Sequence, residues 1–243
     1  VAEEKIPSGK LVYVYITTRP GYSTHCIDSL VADVKNRNED YHLVVGWTDV
    51  ANLQRIAELE GVQNIRQVSP PRVHKGINTT QGDIIHKTAN VRSTYGYTGA
   101  GMKIGIISDG VNHLADSQAT GDLPANVHVL RDDVGGDEGT AMLEIVYNMV
   151  PDAELYFHDS GSNILEFNDA IARLSAAGCT VICDDISWPD EPFFEDGVIA
   201  SNVSTLLAGS RSIYISSAGN RGKSHYQGAF YTTGTGYHDF SRG

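Results

Sequence analysis

The sequence has little that would staple it, anchor it in lipid or draw it to a polyanion. It has three cysteines, Cys26, Cys179 and Cys183, and an odd number is no disulfide framework. Cys179 and Cys183 fall in one expected strand, too far apart along it to bridge, and read as buried structural thiols. There is no run of about 18 apolar residues, so no transmembrane helix is expected and no membrane partner. No charged-then-apolar signal peptide opens the chain. The nine histidines show no His-Glu-x-x-His spacing, and no zinc-type cluster occurs. Basic residues are scarce, with a net charge of -12. That argues against a nucleic-acid partner, because phosphates need a basic surface. Internal repeats and low-complexity stretches are also lacking.

The charge that is present lies unevenly. Residues 1–75 carry nine basic and nine acidic side chains, whereas residues 76–243 carry nine basic and twenty-one acidic ones. The asymmetry divides the chain into two units, 1–75 and 76–243.

In the first unit, residues 11–17 are β-branched and aromatic and predict a strand. Ile27, Leu30, Val31 and Val34 stand at helical spacing. A second strand is expected at 41–47. A helix capped by Thr48 or Asp49 follows, with Val50, Leu53, Ile56 and Ala57 on its apolar face. Residues 62–68 read as a further strand, closed by Pro70-Pro71. The sum is a small open-faced α/β sandwich.

In the second unit, strands are expected at 102–107, 153–158, 180–186 and 212–217. Helices are expected between them at 136–149, 164–177 and 198–208. The inner face of the first helix would be Ala141, Ile145 and Met149. Strands alternating with helices imply an α/β fold with a parallel, doubly wound sheet, whose chemistry lies at the strands' carboxyl ends. At that edge fall Asp109, Glu138, Asp185 and the Gly219-Asn220 turn. Carboxylates gathered at one edge share protons, bind metal or do chemistry, although each alone is an ordinary solvated charge or cap.

Five motifs in this order resemble the subtilisin-like serine peptidases, or subtilases. Residues 98–110, ending Ser108-Asp109-Gly110, resemble the segment that carries the catalytic aspartate. Glu138-Gly139-Thr140-Ala141-Met142 is similar to the family's His-Gly-Thr helix start, with Glu in the histidine's place. Val150-Pro151-Asp152-Ala153 resembles the segment after that helix. Thr180 to Ser187 is similar to the strand lining the substrate groove. Ser217-Ala218-Gly219-Asn220-Arg221-Gly222 looks like the oxyanion turn. Residues 48–73 resemble the second half of a subtilase propeptide, whose tail, here near residues 68–75, lies in the groove.

The resemblance implies an incomplete subtilisin-like catalytic domain over 76–243 behind a small ferredoxin-like α/β propeptide over 1–75. The alternative for that first unit is an independent α/β binding module. The resemblance further implies a secreted endopeptidase acting on peptides or proteins, with its propeptide bound in cis. Asp109 would orient Glu138, Glu138 would be the general base, and Asn220 would donate to the oxyanion. Asp185, Ile186 and Ser187 would contact substrate. No cofactor is required; subtilases often hold structural calcium, but no loop here assigns it.

Two departures stand out. The nucleophile's Gly-Thr-Ser motif is not found before Gly243, so the serine is expected outside this chain. Glu138 in the histidine's place matches the related sedolisins, while Asp109 and Asn220 match subtilases. A carboxylate base implies an acid optimum, since its ordinary pKa is about 4.3. Two other readings stay open. One is a non-catalytic pseudo-peptidase that binds peptides. The other is an acidic module in which Asp109, Glu138 and Asp185 hold Ca²⁺ or Mg²⁺.

Overall fold

The computed structural model describes residues 10–69, 72–73, 81–192, 195–220, 222–223 and 228–239. Pro70, Pro71, Lys75 and Arg221 of the sequence Ser217 to Gly222 lie outside the described residues.

Strands β1 (Leu11–Thr18), β2 (Asp33–Asn38), β3 (Leu43–Asp49) and β4 (Val62–Gln67) form an antiparallel sheet in the order β2-β3-β1-β4. One face of β1 sets Val14 and Ile16 against Ile27, Leu30, Val31 and Ile56. Ile56 belongs to the short helix α1 (Leu53–Ala57). The opposite face carries Tyr13 and Tyr15. Strand β3 is buried on both faces along residues 43–48, and a sheet apolar on both faces must be covered on both. The second cover comes from the rest of the chain.

The helical expectation over 27–34 is not met. The chain makes a 3₁₀ turn at Thr24–Ile27 and then enters β2, which pairs with β3 with a bulge between Val34 and Asn36. Ile27, Leu30 and Val31 are buried as helical spacing demands, but they fill the core from a turn. The strand that follows, Asp-Val-Lys-Asn-Arg-Asn, has one apolar residue and so no alternation to read. Polar edge strands of this kind resist pairing with other chains. Val50, expected on a buried helix face, is 47% exposed, because Asp49 caps a separate 3₁₀ turn there through the Ala51 N–H at 2.8 Å.

Strand β5 (Arg72–Val73) and helices α2 (Gly82–Ile85) and α3 (Thr88–Tyr95) lead to the second sheet. That sheet holds β6 (Lys103–Ser108), β7 (His128–Arg131), β8 (Glu154–Asp159), β9 (Val181–Asp184) and β11 (Ile213–Ser216). All are parallel, in the order β11-β9-β6-β8-β7. Helix α4 (Leu114–Thr120) precedes β7. Helix α5 (Glu138–Met149) packs on one face, with Leu143 against Ile104, Ile106, Leu155 and Phe157. Helix α6 (Ile164–Ala176) covers the other, with Phe167, Ile171 and Leu174 against Ile107 and Ile182, and α7 (Val198–Ala208) joins it there. Helices on both faces make the expected doubly wound arrangement.

Helix α5 turns a different face inward from the one expected. Gly139, Thr140 and Leu143 are buried, while Ala141 is exposed. A Cβ on Gly139 would strike the Phe157 ring and the Gly110 carbonyl. The backbone therefore approaches the sheet at 139, and that contact sets the phase of the whole helix.

The two sheets share one core. Tyr13, Tyr15, Leu43 and Val45 pack with Phe167, Ile171 and Trp188, so α6 is the second cover that β3 requires. The Tyr15 hydroxyl accepts the Ile164 N–H at 3.1 Å, and Asn163 Nδ2 donates to Asn36 Oδ1 at 2.9 Å.

Candidate active site

Every parallel strand of the second sheet ends at one rim, and four of the five deliver a carboxylate there. Asp109 follows β6 and is 7% exposed. Its Oδ1 accepts the N–H of Gly110 at 2.7 Å and of Glu138 at 2.9 Å, the latter opening α5. The carboxylate lies directly over Gly136, where φ is +139° and a Cβ would collide with it. Only glycine suits both the left-handed backbone and the close approach. The Asp109 carboxylate and the backbone N–H of Glu138 are thus brought together.

The loop joining β7 to α5 hangs on a residue the sequence does not single out. Asp159, at the end of β8, is fully buried. Its Oδ2 accepts the N–H groups of Asp133 at 2.6 Å and Val134 at 3.3 Å, and its Oδ1 that of Gly161 at 3.1 Å. Arg131 Nε lies 3.5 Å from Oδ2 and its Nη2 is 3.2 Å from Glu166. Burial raises the pKa of the neighbouring Asp132 carboxyl, and the Val111 N–H opposes that. Burial also pushes on Asp137 upward, but the His113 N–H, the Thr140 hydroxyl and the His113 ring together bring it below its usual value. The signal for Asp159 was its place at a strand's carboxyl end, which it shares with Asp109.

The strand expected over 180–186 is broken. β9 ends at Asp184, whose Oδ1 accepts the Ile186 N–H at 3.0 Å and the Ser216 hydroxyl at 3.0 Å. This side-chain turn redirects the chain into β10 (Ile186–Ser187) and leaves Asp185 at the break. Asp185 is 6% exposed, and among the described residues its carboxylate oxygens are in no well-formed hydrogen bond; the buried Ser108 hydroxyl is the polar group beside it. Burial pushes the Asp185 carboxyl up to about 7. Ser108 lies close enough to oppose that rise, and the charges of Glu138, Asp109 and Asp184 add to it.

Ile186 and Ser187 pair antiparallel with Val73 and Arg72 of β5. Just outside this ladder, Ser69 N–H donates to Asp190 Oδ2 at 2.8 Å and the Arg66 guanidinium donates to the Asp190 carbonyl. A cavity of about 400 Å³ opens beside β10, lined in part by Asp184, Ile186, Trp188, Glu191, Val203 and Tyr214. Asn220 follows β11 on the same rim, past the Ser217 N–H that donates to the Asp184 carbonyl at 3.0 Å. Two strand spacings, about 10 Å, separate β11 from β6. Among the described residues no group of three or more His, Cys, Asp or Glu is arranged to hold a metal ion.

No protein-family profile and no curated protein matches the chain. Solved structures do. A point mutant of the epidermin leader peptide processing serine protease EpiP from Staphylococcus aureus aligns with a TM-score of 0.57 at 15% identity, covering 87% of this chain and 62% of that one. The unmutated EpiP aligns at 0.51 and 14%, covering 87% and 60%. The chain shares the fold of these two structures over the part that aligns. It spans about three fifths of the length of these proteins. Among the described residues no helix is long and apolar enough to cross a membrane.

Proposed function

We propose that this chain is the propeptide and the first part of the catalytic domain of a subtilisin-like serine peptidase with a glutamate base. The observation that carries the reading is the short ladder between β5 and β10. An extended segment lies antiparallel along Ile186–Ser187, beside a rim bearing Asp109, Glu138 and Asp185, as a peptide substrate would lie. Further support comes from the first sheet. Its strand order β2-β3-β1-β4 is that of a ferredoxin-like fold, and β5, which follows it in the chain, is the strand paired with β10.

In this reading a serine from beyond the chain attacks the peptide carbonyl. Glu138 takes its proton and returns it to the leaving amine. Asn220 donates to the oxyanion, and Asp185, Ile186 and Ser187 border the substrate. Residues 1–75 act as the inhibitory propeptide of a secreted enzyme. The test is full-length protein analysed by mass spectrometry for cleavage near Lys75. Glu138→Gln is expected to slow that cut and the hydrolysis of added peptides by about 10²–10⁴-fold. Asn220→Ala is expected to cost about 3 kcal/mol of barrier. Peak activity above neutral pH, or full activity in Glu138→Gln, would count against the glutamate base. A second reading, a non-catalytic module that only binds peptides, is supported by the same ladder and by the missing histidine. It predicts peptide binding without cleavage in the full-length protein.

A further inference from the structure

His158, near the end of β8, is fully buried. Side chains alternate along a strand. Phe157 faces α5, so His158 faces α6, level with Ile107 of β6 and Arg131 of β7. Its Nδ1 lies 2.7 Å from the Asp159 carbonyl oxygen. A carbonyl only accepts, so Nδ1 carries the proton. Its Nε2 is buried and meets no hydrogen-bond partner among the described residues. In the neutral ring that nitrogen bears only a lone pair. A second proton would place an N–H and a charge where nothing accepts them. The charged groups around the ring are Asp159 on its own strand, Arg131 on β7 and Arg173 on α6. Glu166 of α6 stands behind Arg131 at 3.2 Å. Burial first, and then the two arginines, hold the ring below its ordinary value of 6.5, against the pull of the Asp159 carbonyl and carboxylate.

The segment that follows joins separate parts of the molecule. The Asp159 carboxylate holds the β7–α5 loop through the Asp133 and Val134 N–H groups, and it takes the Gly161 N–H as well. The Ser160 N–H donates to the Ser108 carbonyl at 2.8 Å. Asn163 caps α6 and reaches Asn36 of β2, and the Ile164 N–H meets the Tyr15 hydroxyl of β1. We propose that His158 is an acid-sensitive latch for this segment: the neutral ring keeps it closed over the loop before Glu138 and against the first sheet, and proton uptake at Nε2 opens it. Once the segment opens, the new N–H reaches water. Below 6.5 the open segment binds a proton that the closed one does not, so closure weakens as pH falls past that value. Above it the ring is neutral in both states and closure is insensitive to pH. The latch stands apart from the peptidase reading; only its use, to loosen an inhibitory first unit in acid, rests on that reading.

The experiment is amide hydrogen exchange on the full-length protein from about pH 7.5 down to about pH 5, corrected for intrinsic exchange and read at Gly161 and Ile164. Opening that takes up one proton should lower protection by about tenfold per pH unit below 6.5. In His158→Asn the side-chain amide can still donate to the Asp159 carbonyl but takes no proton, so protection should stay level over the same range. Heteronuclear NMR of the wild-type ring should show the neutral form protonated on Nδ1 at neutral pH. A ring protonated on Nε2, wild-type protection that stays level in acid, or the same slope in His158→Asn overturns the proposal. If His158→Asn does not fold, the tautomer and the wild-type slope decide by themselves. Acid opening in a full-length protein that hydrolyses no peptide at any pH leaves the latch standing and removes its use in a peptidase.

Discussion

Asp159 and Asp185 are buried carboxylates at one sheet edge in opposite circumstances. Asp159 is fully buried and takes three backbone N–H groups with Arg131 nearby. Replacing it with alanine strands those donors, and Asp159→Ala should cost about 3 kcal/mol of stability by urea denaturation. Asp185 takes no backbone N–H among the described residues. Its folded state keeps a proton that the unfolded chain releases as pH climbs past the ordinary value of 3.8. Folding therefore weakens over that rise until about pH 7, where the folded group ionises too. Asp185→Asn should match the wild type in acid and exceed it in stability at neutral pH, with the gap widening across that window in denaturation midpoints. Asp109 and Glu138 were legible in the sequence because one follows an apolar run and the other opens a helix through glycines. Asp159 was not, because its partners are backbone groups from a loop with no periodic pattern.

At the scale of elements, short apolar runs and helical spacing located four of the five parallel strands and α5, α6 and α7. They failed where a segment is short or polar. β2 carries one apolar residue, β7 is four residues long, and α4 lacks a buried apolar stripe. The face of α5 was misjudged because a glycine contact, rather than its apolar residues, fixes its rotation. β11 is an edge strand among the described residues, with Ile213 57% and Ile215 50% exposed on one face. Exposed apolar edges invite pairing with other chains. The 243-residue chain prepared by itself should self-associate in light scattering. The double substitution of Ile213 and Ile215 by lysine should reduce that association by tenfold or more, since each buried isoleucine is worth about 2 kcal/mol.

For the whole molecule, the defining feature is the core shared by the two sheets. The Arg66 guanidinium stacks over the Tyr15 ring at 4.6 Å and also reaches the Asp190 carbonyl. Arg66→Ala removes both contacts and should cost about 1–2 kcal/mol of stability, read from urea denaturation midpoints. The ladder at β10 adds a kinetic consequence. β5 is joined to β4 by only a few residues, so it meets Ile186–Ser187 at an effective concentration on the order of millimolar. An outside peptide of ordinary affinity competes poorly against that resident strand. On the proposed peptidase reading, hydrolysis time courses begun with uncleaved full-length protein should start with a lag whose length does not depend on protein concentration when the strand's release occurs within one molecule, and added peptide should do little to shorten it.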